Sequence, residues 1–415
     1  MAGDERMHEI WDFAVIGGGA SGMAAAITAS GLHDHVLLLE KSSSLGKKIS
    51  ASGNGRCNLL NLSKPVYYGD EIFAGNVMKQ FGQERQLQFW QNLGLRLSED
   101  AEGRLYPCTF QASSVLDALK SRLKKNHVDI FLQKKVISIK KRNHLFCIKT
   151  NEEEYTSRRV LIASGGAAAP KLGGTTSGYE LLADFGHHIV PVFPALCPLV
   201  TDSRSISGLN GIRVRCIISV FDRNHMMLQK EKGEVLFTDY GISGICAMQC
   251  ARFIKENGCI AELDFVSRIF PDISDLIAYL KNRRHDISFL QPEQIMSGFL
   301  LPRLSFAVMK QAGINMHNRL ARDLTDDELS AVADRLYCYT LQITGVKGLE
   351  DAQVTAGGAD CSEFDPRTME SRIESGLHAA GELLNVDGDC GGFNLMFAFS
   401  SGILAGLNGR EEVNL

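Results

Sequence analysis

The stretch FAVIGGGASGMAAAITASGLHDHVLLLE, residues 13–40, reads as one βαβ unit carrying a ligand-binding turn. Phe13 to Ile16 is a short apolar strand, and Met23 to Ala29 is a helix of small residues. Between them Gly17, Gly19 and Gly22 stand at GxGxxG spacing. In that pattern the first glycine allows a tight turn, the second lets a pyrophosphate approach the backbone, and the third packs helix on strand. The N–H groups and positive dipole of the helix N-terminus then face the phosphates. A second apolar strand, Val36 to Leu39, runs into Glu40, 40 − 22 = 18 residues beyond the last glycine. A carboxylate there suits ribose hydroxyls and repels a 2′-phosphate. An isolated GxGxxG means little, but strand, glycines, helix, second strand and acid together point to a dinucleotide site.

The 415 residues suffice for two or three domains and a large core. Hydrophobic residues make up 45% and charged residues 22%, as in an ordinary globular protein. A formal charge of −4 gives no global basic field, so no nucleic-acid partner is expected. No apolar run approaches the ~18 residues that span a bilayer. The opening MAGDERMHEI is acidic and polar, unlike a signal peptide. Eleven cysteines without a CxxC pair suit reduced thiols. These features predict a soluble cytoplasmic protein with no membrane insertion and no evident obligate protein partner.

Further along, the spacing predicts a helix around Met78 to Leu93 and another over Ser113 to Leu123. Val128 to Leu132, Val136 to Ile139 and Leu145 to Lys149 alternate as a β-meander would. Residues 199–271 look β-rich, and residues 272–335 look helical and more charged. Glycine-rich α/β character returns near Thr340. The expected fold class is α/β: a discontinuous Rossmann-like domain of residues 1–195 and 341–415, around an inserted β-rich domain of residues 196–340 with a helical subdomain at about 272–335.

The loop Gly46 to Asn58, GKKISASGNGRCN, mixes glycines with Lys47, Lys48, Asn54 and Arg56. Glycines let the backbone wrap a ligand closely, and the polar side chains supply donors to a phosphate or an electron-rich ring. Cys57 within it has no resolving partner nearby and reads as a small packing residue. Ser164-Gly165-Gly166 ends a strand at the carboxyl edge, where open α/β sheets bind ligands. Val136 reads from spacing alone as a meander core residue. Near the C-terminus, GLHAAGELLNVDGDCGGFNLMFAFSSGILAG gives a strand at Leu377 to Ala380, a glycine-rich turn, and a small-residue helix over Asn394 to Leu404. That helix's N-terminal N–H groups would face a negatively charged ring carbonyl. Asp387 and Asp389 suit a turn. His187 and His188 are adjacent and diverge, so no metal is expected.

GGGASGMAAA, LEK with GKKISASGNGRCNLLN, ASGGAAAPKLGGTTSGYELLADFGH, the late VTAGG and the closing GELLNVDGDCGGFNLMFAFSSG together resemble the BaiN-like (aminoacetone-oxidase-like) FAD-dependent flavoproteins. The resemblance spans essentially the whole chain. It implies a two-dinucleotide-binding-type flavoprotein with extended FAD, covered by the inserted domain and its helical subdomain. Residue by residue it implies that Gly17, Gly19, Ala20, Ser21 and Gly22 line the pyrophosphate and that Glu40 holds the adenosine ribose. Lys41, Lys48 and the loop Gly53, Asn54, Gly55, Arg56 and Cys57 would line the cofactor, with Gly165 beside it. Val136 would contact adenine through its backbone. Gly381, Glu382, Asn394 and Leu395 would sit near the ribityl chain and the isoalloxazine. Asp239, Ile245 and Met396 depart from the family pattern, at positions expected near the substrate.

The implied activity is NAD(P)H-driven reduction of a conjugated enone, of the 3-oxo-Δ4 or Δ4,6 bile-acid or steroid type, by hydride transfer from flavin N5. NAD(P)H would act as a transient donor and the substrate would be a small apolar molecule. A proton donor is not legible, with Arg56, Asp239 and Tyr240 as candidates. The alternative is a flavin oxidase of a small amine such as aminoacetone using O₂, and a third is a flavin-binding redox sensor or RNA-associated binding protein that uses FAD structurally.

Overall fold

The computed structural model describes residues 9–410. Its organising element is a seven-stranded sheet. The strand Ile10–Ile16 lies between Val36–Glu40 and Glu154–Ile162, parallel to both. Asp129–Leu132 adds a further parallel strand beside Val36–Glu40. The runs Phe13 to Ile16 and Val36 to Leu39 are almost wholly buried, which is why they read as unbroken apolar segments rather than alternating ones.

Glu154–Ile162 is used twice along its outer edge. Its first half pairs antiparallel with Leu145–Thr150, which continues to Val136–Arg142. Its second half pairs parallel with Leu377–Ala379, bringing the C-terminal segment into the sheet. The meander is thus one strand shifted from expectation. Asp129–Leu132 alternates like its neighbours but has left to join the parallel edge, because a period of two identifies a strand and not its partner.

The helix expected over Met78 to Leu93 is two helices, Glu71–Gln80 and Gln83–Asn92. Phe81 leaves helical geometry, and a Cβ at Gly82 would lie 2.6 Å from the Met78 carbonyl oxygen. The helix Ala112–Lys125 covers the other prediction and buries Val115, Leu116, Leu119 and Leu123.

Contacts divide the chain into two compact units, residues up to Phe193 with those from Gln353, and Pro194–Ala352. The second unit is built on a closed, antiparallel six-stranded barrel. Three helices, Ile273–Asp286, Pro302–Gln311 and Asp326–Tyr337, intervene between the barrel strands Ile260–Asp264 and Tyr339–Val346. The second of these strands closes the barrel against Leu199–Thr201. Residues 341–352, assigned by sequence to the C-terminal part of the first domain, therefore belong to the second unit. No helix among the described residues is long and apolar enough to cross a membrane.

Candidate functional site

The carboxyl ends of the parallel strands are floored by glycines with three different jobs. Gly17 takes φ +111°, and a Cβ there would lie 2.4 Å from the Ala163 carbonyl oxygen, so the turn tolerates no side chain. At Gly22 a Cβ would fall 1.9 Å from the Gly17 carbonyl oxygen, pinning helix Ala20–Gly31 onto the turn. Gly19 has nothing within 4 Å of a Cβ. Only the middle glycine faces open space, as a pyrophosphate against the backbone requires. Above it, the N-terminus of Ala20–Gly31 has no side-chain cap and no acidic residue in its first turn. Its donors are left for an anion.

Glu40, at the end of the second strand, accepts the Gly18 N–H on Oε2 at 2.8 Å and the Ser42 N–H on Oε1 at 2.7 Å. Both oxygens are held in place and each keeps a lone pair for a ribose hydroxyl. Lys41 beside it is pulled below the usual lysine range, first by burial and then by Lys135 and Lys47, against Glu40.

The loop after Glu40 is tied back by Gly46 N–H to the Gly18 carbonyl at 2.9 Å. It then passes through a run of left-handed residues: Gly53, Asn54 and Gly55 at φ +56°, +55° and +82°, with Cys57 at +58°. A non-glycine residue holds that conformation at a cost, so Asn54 and Cys57 mark a constrained loop. Arg56 projects outward and is exposed. Cys57 is wholly buried, and burial pushes its thiol up to about 11, opposed by a hydrogen bond with Ser52. Such a thiol stays protonated at neutral pH, which fits packing rather than redox chemistry. Lys48 turns inward and its Nζ donates to Glu382 Oε2 at 2.7 Å, joining this loop to the C-terminal segment.

That segment supplies the second half of the cradle. Gly381, at φ +75°, presses against Ser21, whose Oγ would be 2.6 Å from a Cβ there. Asn394 clamps the preceding turn: its Oδ1 accepts the Gly388 N–H at 2.8 Å and its Nδ2 donates to the Gly388 carbonyl at 2.7 Å. Leu395 follows half-buried in the first turn of helix Phe393–Leu407. This helix also begins uncapped and without an acid.

The two uncapped helices run parallel in close contact. A Cβ at Gly402 would meet the Ser21 carbonyl oxygen at 2.2 Å, and one at Gly406 the Ala25 carbonyl oxygen at 2.6 Å. Phe393 starts nine residues before Gly402, whereas Ala20 is one before Ser21. The last helix therefore begins about 12 Å beyond the first, at ~1.5 Å per residue. Two positive helix ends staggered along one direction suit a ligand with two electron-rich groups joined by a spacer.

Gly165, after strand Glu154–Ile162, is open as well, with φ +74° and nothing within 4 Å of a Cβ. Val136 opens its strand opposite Thr150 with its side chain buried. Asp239 and Tyr240 belong to the other unit, in the turn Thr238–Gly241, and Lys347 Nζ lies 4.2 Å above the Tyr240 ring. Ile245 there is exposed. Met396 is fully buried and its carbonyl accepts Gln86 Nε2 at 2.6 Å, so its side chain packs in the core instead of bordering open space. Asp387 lies in a strand, Val386–Gly388, not in the expected turn.

His187 is buried between Glu363 at 2.7 Å and Ser371 at 2.9 Å. The one group among the described residues whose ligand atoms lie close enough together to hold a metal ion, Glu9, His35 and Asp129, sits at the amino ends of the strands, away from the glycine floor. Sequence reasoning missed Thr355 and Ala168, which back Glu382, although Thr355 stands inside the quoted VTAGG.

The residues present fit a dinucleotide of the flavin type. Open Gly19 and the first helix end would take the pyrophosphate, Glu40 the ribose, and Asn394, Leu395 and the last helix end the ring. A family model described as HI0933-like protein Rossmann domain matches residues 11–408. A 3-dehydro-bile acid delta(4,6)-reductase of Clostridium scindens is 34% identical over 96% of this chain and 98% of its own length. A ribosomal RNA dihydrouridine synthase of Escherichia coli is 29% identical over 95% of this chain and 96% of its own. Among solved structures, the open conformation of a flavocytochrome c3 fumarate reductase aligns with 97% of this chain and 78% of its own, at 15% identity and TM-score 0.48.

Proposed function

The chain belongs to the HI0933-like Rossmann family, and from that premise we propose that it is an FAD-dependent oxidoreductase reducing a C=C bond conjugated to a carbonyl, with NAD(P)H as donor. The observation that carries the reading is the pair of uncapped, parallel helix ends, the first of them opening at Gly19, whose face is free. Bound FAD would supply the hydride chemistry that no side chain provides. The chain's own residues bind and orient. Gly19, Ala20, Ser21 and Gly22 hold phosphate through backbone N–H groups, while Gly17, whose own N–H donates to the Leu39 carbonyl at 2.8 Å, makes the turn that presents them. Glu40 accepts from the ribose, Lys41 lies beside it, and Val136 offers backbone to the adenine. Lys48, the Gly53–Cys57 loop, Gly381, Glu382, Asn394 and Leu395 shape the ring end. In the net reaction the carbon β to the carbonyl gains hydride and the α carbon a proton.

The Clostridium scindens relative acts, by its name, on a 3-dehydro-bile acid, so a 3-oxo-Δ4 or Δ4,6 steroid-type acceptor is the first substrate class. The test is anaerobic. The purified chain should show a flavin spectrum, bleach with NADH or NADPH, and recover its colour on adding such an enone. Absence of flavin from folded protein sinks the reading. Bleaching by aminoacetone, with peroxide formed in air, would replace the reductase by an amine oxidase. Full reduction without reoxidation by any acceptor would favour a redox sensor.

A second acceptor is favoured by one further observation. Uridine also carries a C=C bond conjugated to a carbonyl, and the Escherichia coli relative is named for making dihydrouridine in ribosomal RNA. Lys41, Lys47, Lys135 and Lys171 converge on an open depression of about 490 Å³, whose other lining residues are serine, glutamine, proline and glycine. Four cations with no carboxylate and no aromatic wall suit phosphodiester backbone better than a steroid or a base. A uridine-containing RNA that reoxidises the reduced protein, where enones fail, would select this acceptor.

A further inference from the structure

Beneath the glycines that follow strand Glu154–Ile162, one carboxylate and one hydroxyl gather four remote segments. Glu382 Oε2 accepts from Lys48 Nζ at 2.7 Å. Its Oε1 accepts twice from one residue, the Thr355 N–H at 3.0 Å and the Thr355 Oγ1 hydroxyl at 2.9 Å. Thr355 Oγ1 in turn accepts the Ala168 N–H at 2.8 Å. Thr355 is fully buried on strand Val354–Ala359. Gly166 lies directly over this chain of bonds: a Cβ there would be 2.5 Å from Thr355 Oγ1 and 2.7 Å from Glu382 Oε1. The preceding Gly165 is the open one.

We propose that Thr355 is a positioning residue for the cofactor site, holding the Glu382 carboxylate so that its free oxygen presents the Lys48 ammonium to the cofactor. The inference rests on the flavin reading above. A hydroxyl has one hydrogen and two lone pairs. With its hydrogen given to Glu382 and a lone pair taken by the Ala168 N–H, its orientation is determined from both sides. Glu382 Oε1 is then doubly occupied, and the carboxylate cannot turn without breaking two bonds at a buried residue. Oε2 is left for Lys48 alone. The Lys48 side chain is 29% exposed and Glu382 20%, so the pair stands at the rim of the site, where an ammonium with two remaining donors can reach an electron-rich group. Lysine on a flexible stem takes a fixed position only if its acceptor is fixed.

A purely structural Thr355 would contribute the packing of its methyl group and nothing to Lys48. The test is a double-mutant cycle on the full chain, with FAD affinity read by flavin fluorescence and stability by urea unfolding without added flavin. Thr355→Val keeps the shape and removes the hydroxyl; it should weaken FAD binding about tenfold, the size of one lost charge-assisted hydrogen bond. Lys48→Met should weaken it similarly. The double variant should be no weaker than Lys48→Met alone within about twofold, because the hydroxyl acts through the lysine. Thr355→Ser should bind as wild type does. Losses that multiply in the double variant, a Thr355→Ser variant as impaired as Thr355→Val, or a Thr355→Val variant with wild-type affinity would each overturn the inference while leaving the flavin reading intact. A wild-type chain that takes up no FAD overturns the flavin reading itself and this inference with it. Should Thr355→Val fail to fold, Thr355→Ala, which also removes the hydroxyl, made alone and with Lys48→Met supplies the same comparison.

Discussion

Gly402 packs its bare Cα against the backbone of Ser21, so closely that a Cβ would lie 2.2 Å from the Ser21 carbonyl oxygen. The obstacle is backbone, which cannot swing aside as a side chain tip would. Gly402→Ala should force helix Phe393–Leu407 away from Ala20–Gly31 and lower stability by about 3 kcal/mol, at the upper end of core overpacking. The measurement is a urea midpoint with an unchanged slope. A midpoint equal to wild type would mean that the two helices do not meet as described.

Gly19 and Gly22 stand three residues apart and should behave oppositely. Gly19, at φ −84° and with an open face, accepts a methyl without strain. Gly19→Ala should leave the unfolding midpoint within about 0.5 kcal/mol of wild type. It should nevertheless weaken FAD binding by tenfold or more, since the methyl occupies the space of the pyrophosphate. Gly22→Ala, whose Cβ would be 1.9 Å from the Gly17 carbonyl oxygen, should instead fail to fold or unfold at low urea. Equal effects on folding from both substitutions would remove the distinction between an open and a packed glycine.

Burial holds the Cys57 thiol up to about 11 against an ordinary 9.0, and this sets a sign for stability against pH. Below pH 9 the thiol is protonated in folded and unfolded chains alike. Between pH 9 and 11 the unfolded chain loses the proton and the folded one keeps it, so stability falls as pH rises through that window. The loss reaches at most about 2.7 kcal/mol for two pKa units. Cys57→Ala lacks this contribution and keeps every other thiol. Urea unfolding of both chains at pH 8 and pH 10.5 should show wild type losing about 2 kcal/mol more than the variant. Parallel losses would place the thiol in contact with solvent.

What was legible in sequence divides by range. The βαβ unit at residues 13–40 was readable because turn, helix start and acid are local requirements stated by neighbouring residues. The helix break at Phe81–Gly82 was not, since apolar spacing continues across it and only the close approach to the Met78 carbonyl shows the chain has turned. Asp129–Leu132 carried the right alternation but no sign of its partner. The contact of Gly402 and Gly406 with Ser21 and Ala25 left only the trace of small residues in each helix. Thr355 and Glu382 face each other across 27 residues, a pairing that local spacing cannot encode. Met396 was read by its departure from a family pattern, whereas its place is decided by the core around it.

The lysines of the basic depression give the last prediction, because they separate two acceptors that the flavin chemistry alone does not. Lys135 and Lys171 belong to no part of the cofactor cradle, so neutralising them should leave the flavin spectrum and FAD affinity unchanged. If phosphodiester backbone lies across the depression, Lys135→Gln with Lys171→Gln should remove two phosphate contacts. For a single-stranded RNA oligomer each contact contributes ~0.7 to the slope of log affinity against log salt, so the slope should shrink by about 1.4. Fluorescence anisotropy of a labelled uridine-rich oligomer between 50 and 200 mM salt, on the order of the range where such slopes are read, provides the measurement. An unchanged slope would return the acceptor to the steroid class. A loss of FAD in place of RNA would assign these lysines to the adenosine end of the cofactor, beside Glu40 and Lys41.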